Sequence, residues 1–267
     1  MGAVRSTGPA VGALVVALAA LAAAACPAPA AALHPPGTVL FHDGFNYRDG
    51  LLTNEYRFWN HLRSRDPRWQ MTSGSLFAHS RRGWTGHPDG CSSASRSGVP
   101  CNASDVFRLN TRRRDFRNVQ VSFRLRNLAL TSSARTPREP WDGVHVWLHY
   151  QSERELYYAS FQRRDGRIVV KKKCAGGSTN GGTYYELGPG EVPGHPIRFR
   201  RWTHIAATVR DRADGSVAIA MWRRGRRLLR VVDRGTGCAP ITAAGAVGIR
   251  GDNDNFRFDN FTVTALG

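Results

Sequence analysis

Lysine is almost missing from this chain: Lys171, Lys172 and Lys173 are the only three among 38 basic residues. An arginine-for-lysine imbalance of this size is what a GC-rich genome produces without selection for a ligand. The formal charge of +18 therefore does not by itself point to a polyanion. Clusters such as Arg112-Arg113-Arg114 and Arg223-Arg224-Gly225-Arg226-Arg227 are expected to be solvated faces and turns. Carboxylates are also scarce, and Glu153, Glu155, Asp165, Asp211 and Asp214 fall in predicted turns. Glycoside hydrolysis needs two carboxyl groups at a controlled separation, and no such pair shares a strand face, which argues against a hydrolase. Paired CxxC motifs are absent, and His61, His79, His87 and His204 lack metal-ligand spacing. Gly176-Gly177 and Gly181-Gly182 are not followed by the helix and Lys-Ser/Thr of a phosphate loop. There are no heptads, no internal repeat and no long low-complexity linker.

What is present begins with a leader. Arg5, the apolar stretch Val11 to Ala25 and Ala30-Ala31-Ala32 read as a secretory signal peptide over residues 1–32. Residues 33–36 then form a short linker and 37–267 a single domain. A second reading makes Cys26 a lipid anchor, although Ala23 stands where a larger aliphatic is usual. No later segment approaches the ~20 apolar residues of a membrane span. The mature protein is expected to be exported, soluble and monomeric, with no nucleic-acid partner. Its four remaining cysteines, Cys91, Cys101, Cys174 and Cys238, allow three disulfide connectivities. The expected pairs are Cys91–Cys101, closing a small Ser/Gly/Pro loop, and Cys174–Cys238.

The centre of the chain, Gly143 to Lys173, reads as a three-stranded antiparallel meander. Val144, Val146, Leu148 and Tyr150 alternate with His145, Trp147, His149 and Gln151, the period of a two-faced strand. Pairing Gln151 with Leu156, and Arg164 with Arg167 across an Asp165-Gly166 hairpin, gathers the aliphatic side chains on one face. The opposite face then carries His145, Trp147, His149, Tyr158, Ser160, Gln162, Lys171 and Lys173, an unusual set for a purely structural surface. The polar Thr131–Gly143 loop is expected to form a rim over a groove there.

Short alternating runs elsewhere predict strands at Thr38–Phe41, Trp69–Leu76, Val106–Asn110, Val119–Leu125, Trp202–Arg210, Ser216–Trp222 and Leu228–Val232. Leu51–Leu62 is expected to be irregular or briefly helical, and Ala175–Thr183 a glycine-rich loop. The closing strands, Gly245–Arg250 and Phe256–Ala265, contain Gly245-Ala246-Val247-Gly248-Ile249-Arg250 and Phe258-Asp259-Asn260-Phe261-Thr262-Val263. With Asp43-Gly44-Phe45 and Trp69…Gly74-Ser75-Leu76, these resemble the end strands of concanavalin A-like, laminin-G-like jelly rolls. The resemblance implies an all-β, two-sheet antiparallel sandwich. It leaves the activity open, because that superfamily includes lectin-like modules, hydrolases and polysaccharide lyases.

The resemblance also implies a structural calcium held by Asp43 and Asp259; turn capping by both acids is the alternative. No cofactor for chemistry is expected. The polar meander face, joined by Arg124 and Arg126, suits an extracellular and acidic polysaccharide bound on a concave sheet, with Trp147 stacking on a sugar ring. A lyase is the second reading. There a cation neutralises the uronate, a His or Tyr takes the C5 proton and a Tyr protonates the leaving oxygen. Arg124, His145, His149, Tyr158 and Gln162 resemble the inventory of jelly-roll alginate and glucuronan lyases. The Gln that precedes the His in those families is Gly143 here, and their closing Tyr/Lys/Gly/Tyr signature is absent. A matrix or cell-surface adhesion protein with a basic rim is the third reading.

Overall fold

A computed structural model describes residues 2, 34–55, 66–88, 105–134 and 136–267. Apart from Gly2, the predicted leader, with Cys26, lies outside the described residues, as do His61 and the Cys91–Cys101 bridge.

The described residues form strands and no α-helix. In chain order the strands are β1 (Val39–Asp43), β2 (Gly50–Asn54), β3 (Trp69–Ser73), β4 (Ser75–Ala78), β5 (Gly83–Trp84) and β6 (Val106–Thr111). Next come β7 (Val119–Leu130), β8 (Gly143–Ser152), β9 (Glu155–Arg163), β10 (Val169–Thr179) and β11 (Gly182–Glu186). The chain closes with β12 (Thr203–Asp211), β13 (Val217–Arg223), β14 (Arg226–Asp233), β15 (Ala246–Asp252) and β16 (Asp254–Ala265). One antiparallel sheet runs β14-β13-β12-β7-β16-β5-β4-β2, with β1 also on β16; the other runs β11-β10-β9-β8-β15-β6-β3. The result is an all-β sandwich.

The alternation read from the sequence decides what lies between the sheets. Val119, Val121, Phe123 and Leu125 of β7 point inward, as do Val144, Val146 and Leu148 of β8 and Tyr157, Ala159 and Phe161 of β9. Trp69 is wedged edge-on against Phe41 and Phe261, with ring centroids 5.1 and 5.0 Å away. Burying each such side chain contributes roughly 1.5–3 kcal/mol.

Asp43 pegs this aromatic cluster. Its carboxylate accepts from Trp69 Nε1 at 2.6 Å, Phe45 N at 2.7 Å, and Tyr47 Oη and Arg68 at 2.9 Å. Asp259 instead faces the guanidinium groups of Arg82 and Arg124, each at 3.8 Å. Calcium gathers about six to eight oxygens, whereas these two acids meet N–H donors, a phenol and cations. The expected Asp43–Asp259 calcium site does not fit the residues present, and for Asp43 turn capping is the role found.

Three local expectations are corrected. The start of the Leu51–Leu62 segment extends β2, which pairs with β4. Most of the Ala175–Thr183 loop continues the β10–β11 ribbon, with an irregularity between Ala175 and Thr179. Asp165-Gly166 is not the centre of a two-residue hairpin. The Asp165 carboxylate accepts from the Arg167 amide and from Arg163, and Ile168 bridges to Val192 instead of pairing in the meander.

Candidate functional site

Over His145–Leu148 of β8 and along β9–β10 the registers differ from expectation by two residues, a shift that by itself leaves each side chain on its face. Trp147 stands opposite Tyr158 rather than Ser160, and Tyr158 opposite Lys171 rather than Lys173. On the outer face of the seven-stranded sheet lie His145, Trp147, Tyr158, Ser160, Lys171 and Lys173, joined by Arg250 of β15 and Tyr184 and Glu186 of β11.

Two bulges move other residues. The β8–β9 pairing is irregular between Leu148 and Ser152, where His149 has a φ of 45°. His149 therefore leaves the outer face. Its Nδ1 meets the Ile241 carbonyl at 2.7 Å, its Nε2 meets the Arg117 carbonyl, and Tyr150 takes the place beside Trp147 with rings 4.9 Å apart. The second shift, between Val144 and His145, sets buried Gln162 opposite core-facing Val144 and brings Arg163 to the site. Arg124 and Arg126 are on β7, in the other sheet, where they stand opposite Asp259 and Arg257. The Arg124, Arg126, His149 and Gln162 assignments are corrected accordingly: alternation gives the face of a strand but not the sheet it joins, nor where a bulge inverts it.

Trp147 is also not an exposed platform. It is 2% exposed and packs with Tyr150, Leu156, Tyr158 and Ala246 in a second apolar cluster. The open feature lies beside it, a pocket of about 260 Å³ lined by Trp141, Tyr158, Tyr184, Arg163, Lys171 and Arg250 among others. Trp141, from the Thr131–Gly143 rim loop, is 48% exposed. Its backbone position is set two residues later. Gly143 has a φ of +141°, and a Cβ there would lie 1.6 Å from the Gln162 carbonyl oxygen. Asp142 adds its carboxylate to Arg164 at 3.0 Å and to Asn253 Nδ2 at 3.0 Å, tying the rim to the β9 and β15–β16 ends.

Each cation lining the pocket is already paired. Arg250 binds Asp252 through Nε at 2.7 Å and donates to the Tyr184 hydroxyl at 2.9 Å. Lys171 lies 3.0 Å from Glu186 and 3.5 Å from Glu191, and Arg163 pairs with Asp165 and Glu191. Beneath the pocket, Ser160 Oγ and His145 Nδ1 are 2.7 Å apart and His145 Nε2 lies 3.3 Å from Asp252. This serine, imidazole and carboxylate resemble a nucleophile relay only in their order. Ser160 and His145 are fully buried, and the Tyr158 ring lies over the imidazole at 4.3 Å. Burial drives His145 down to about 4, so it is a neutral imidazole at pH 7. Burial likewise pushes the Tyr158 phenol well above its ordinary value, opposite to what a proton donor near neutrality needs. The five lyase candidates therefore do not assemble into an elimination site.

Lys173 is buried with its ammonium 4.9 Å over the Tyr184 ring, and burial, then Arg250 and Arg108, lower it to about 8. Lys172 points the other way, into the sandwich, 2.8 Å from Asp233 with both side chains fully buried. Cys174 and Cys238 form the expected disulfide, which ties the β14–β15 connection to β10.

With this geometry in view, a protein of unknown function with a galectin-like fold from Bacillus subtilis superposes with a TM-score of 0.54. It is 10% identical, over 86% of this chain and 97% of that one. The likeness is one of fold. The shared fold is an all-β sandwich of two antiparallel sheets, as the end motifs led one to expect. A carbohydrate-binding module from Bacillus subtilis is also similar, at a TM-score of 0.48 and 10% identity over 74% of this chain and 95% of that one. So is the metal-free carbohydrate recognition domain of Emp46p, at 0.48 and 8% identity over 80% and 94%. No protein-family model matches the chain, and no curated protein is similar to it in sequence. Among the described residues, no helix is long and apolar enough to cross a membrane.

Trp141, Arg163, Tyr184 and Arg250 line the pocket although strand alternation did not single them out as site residues. A tryptophan in a polar, proline-containing loop was the available signal for Trp141, since nothing in the loop's own sequence would bury it.

Proposed function

We propose that the chain is a carbohydrate-recognition protein that seats a sugar ring in the pocket beneath Trp141. The observation that carries this reading is a half-exposed tryptophan over a small pocket with two phenols and three cations held in place by acids. An aromatic face stacks on the C–H side of a pyranose, while hydroxyls bond to fixed polar groups. Arg250, Arg163 and Lys171 each keep a carboxylate partner, so they act as oriented donors with little surplus charge. Among the described residues the Tyr158 hydroxyl has no hydrogen-bond partner, which leaves it for a ligand hydroxyl. Buried Trp147 supports the floor and does not touch the ring.

Export is part of the proposal, supported by the leader and by the Cys174–Cys238 bridge, since disulfides persist in oxidising compartments. The test is a glycan array probed with the parent and with Trp141→Ala. Trp141→Ala should lose the signals that the parent gives while keeping the parent's melting curve. Equal binding by both would remove the pocket from consideration.

A further inference from the structure

A second pocket, of about 600 Å³, is lined by Arg198, Arg223, Arg224, Arg226, Arg227 and His195 among others. Three segments bring these side chains together: the 193–198 loop, the start of β12 and the β13–β14 hairpin. The hairpin closes on Arg223↔Arg226, with Arg224 and Gly225 at φ values of 54° and 77°. Such primed turns favour Asn-Gly, so arginine occupies a position that its backbone does not favour.

These guanidinium groups differ from those that are held by acids elsewhere in the fold. Arg68, Arg108, Arg164 and Arg250 each face a carboxylate within 3.3 Å. Among the described residues, the five arginines of this pocket pair with none. Arg223 is half-buried; it donates to the Phe161 carbonyl at 2.8 Å, and its Nε is buried without a partner. Burial, then Arg198 and Arg224, lower its pKa. Burial, then Arg223 and Arg226, do the same to His195. Like charges gathered without a counterion are destabilising unless an anion completes the set.

We propose that this pocket is an oxyanion site for an acidic polysaccharide, taking the sulfate ester or carboxylate groups of a chain whose ring lies under Trp141. The inference rests on the carbohydrate reading above. Guanidinium forks match both oxyanions with paired N–H donors. A polysaccharide is favoured over other polyanions because two short stretches of chain link the pockets. Glu191, which holds Arg163 and Lys171 at the first pocket, lies two residues before Pro193 at the second. The Phe161 carbonyl that anchors Arg223 lies two residues before Arg163. One polymer strand can therefore meet the aromatic pocket and the arginine pocket in succession.

The test measures binding of the full chain to dextran sulfate, polygalacturonate, neutral dextran and a short DNA duplex at low salt. Arg198→Gln/Arg226→Gln alters two exposed side chains, and Arg48→Gln/Arg81→Gln removes the same charge from exposed positions elsewhere. The pocket pair should weaken binding to one or both acidic polysaccharides by about tenfold, and the control pair by much less. The polymer that loses affinity identifies the group as sulfate or carboxylate. Equal losses for the two pairs, failure of the parent to bind either acidic polysaccharide, or tighter binding to DNA would each overturn the proposal. Arg227→Gln, also exposed, replaces the pocket pair if that pair melts early. Trp141→Ala is measured alongside. Loss with Trp141→Ala alone sinks the arginine pocket, and loss with the arginine pair alone sinks the aromatic pocket and leaves an anion site.

Discussion

The two pockets flank the same short segment, Glu191 to His195, yet they handle positive charge in opposite ways. Beneath Trp141 every lining cation faces a carboxylate, and Asp252 holds both Arg250 and His145. In the arginine pocket, among the described residues, no guanidinium group faces a carboxylate. A cation with a fixed partner is an oriented donor whose field is largely cancelled; one without a partner keeps its field and awaits an anion. The contrast teaches that net charge says little about a ligand until each charge has been matched with its neighbour.

The comparison breaks most sharply at Asp252. Asp252→Asn would leave Arg250 unpaired and make the first pocket resemble the second. Removing one partner of a buried pair typically costs about 3–5 kcal/mol, so denaturant unfolding should show a loss of that order. A loss below about 1 kcal/mol would mean that the pair does not hold the pocket.

Acid should act next on the same cluster. Folded His145 titrates near about 4, against an ordinary value of 6.5, because burial disfavours the imidazolium. Between those values the unfolded chain binds more protons, so stability is full above the upper value and falls as pH drops towards the lower. The limit is about 3 kcal/mol. Asp252, held low by Arg250 and His145 against its own burial, adds its loss only at lower pH. Melting curves of the parent and His145→Gln across this range should differ in slope. Parallel curves would assign the acid response to other groups.

A smaller effect sharpens the functional half of the contrast. Trp141→Ala should weaken sugar binding by about 1–2 kcal/mol while stability changes by less than about 0.5 kcal/mol, because half of the ring is already in water. Calorimetric titration and a melting curve separate the two quantities. Smallest of all, Arg198→Gln should leave stability within about 0.5 kcal/mol and shift it upward, the reverse of Asp252→Asn. A clear drop in melting temperature would show that Arg198 has a structural partner.

Much of the sandwich could be read from alternation. Val146, Leu148, Ala159, Phe161, Ile168 and Val170 share the core face as expected, because an even register shift leaves the faces unchanged. The site was harder to read. Arg124 has the right alternation, but only long-range pairing puts β7 in the other sheet. His149 sits at a bulge that no local pattern announces. Trp147 satisfies the rule for an outer face and is buried all the same, by side chains of that same face. Trp141 belongs to a loop, where periodicity carries no information.

Gly143 has an effect on how this chain can diversify. The described rim residues ahead of it, 131–134 and 136–140, are exposed or half-buried, so their side chains can drift in sequence while backbone bonds to Asn253 and Asp165 hold the path, trying new shapes against new ligands. The joint cannot drift, because any side chain at Gly143 would collide with the β9 backbone. Variation is thereby channelled into the span that leads up to Trp141, while the point that sets the loop's exit stays fixed. The same sandwich could thus serve a succession of glycans by changing only its rim.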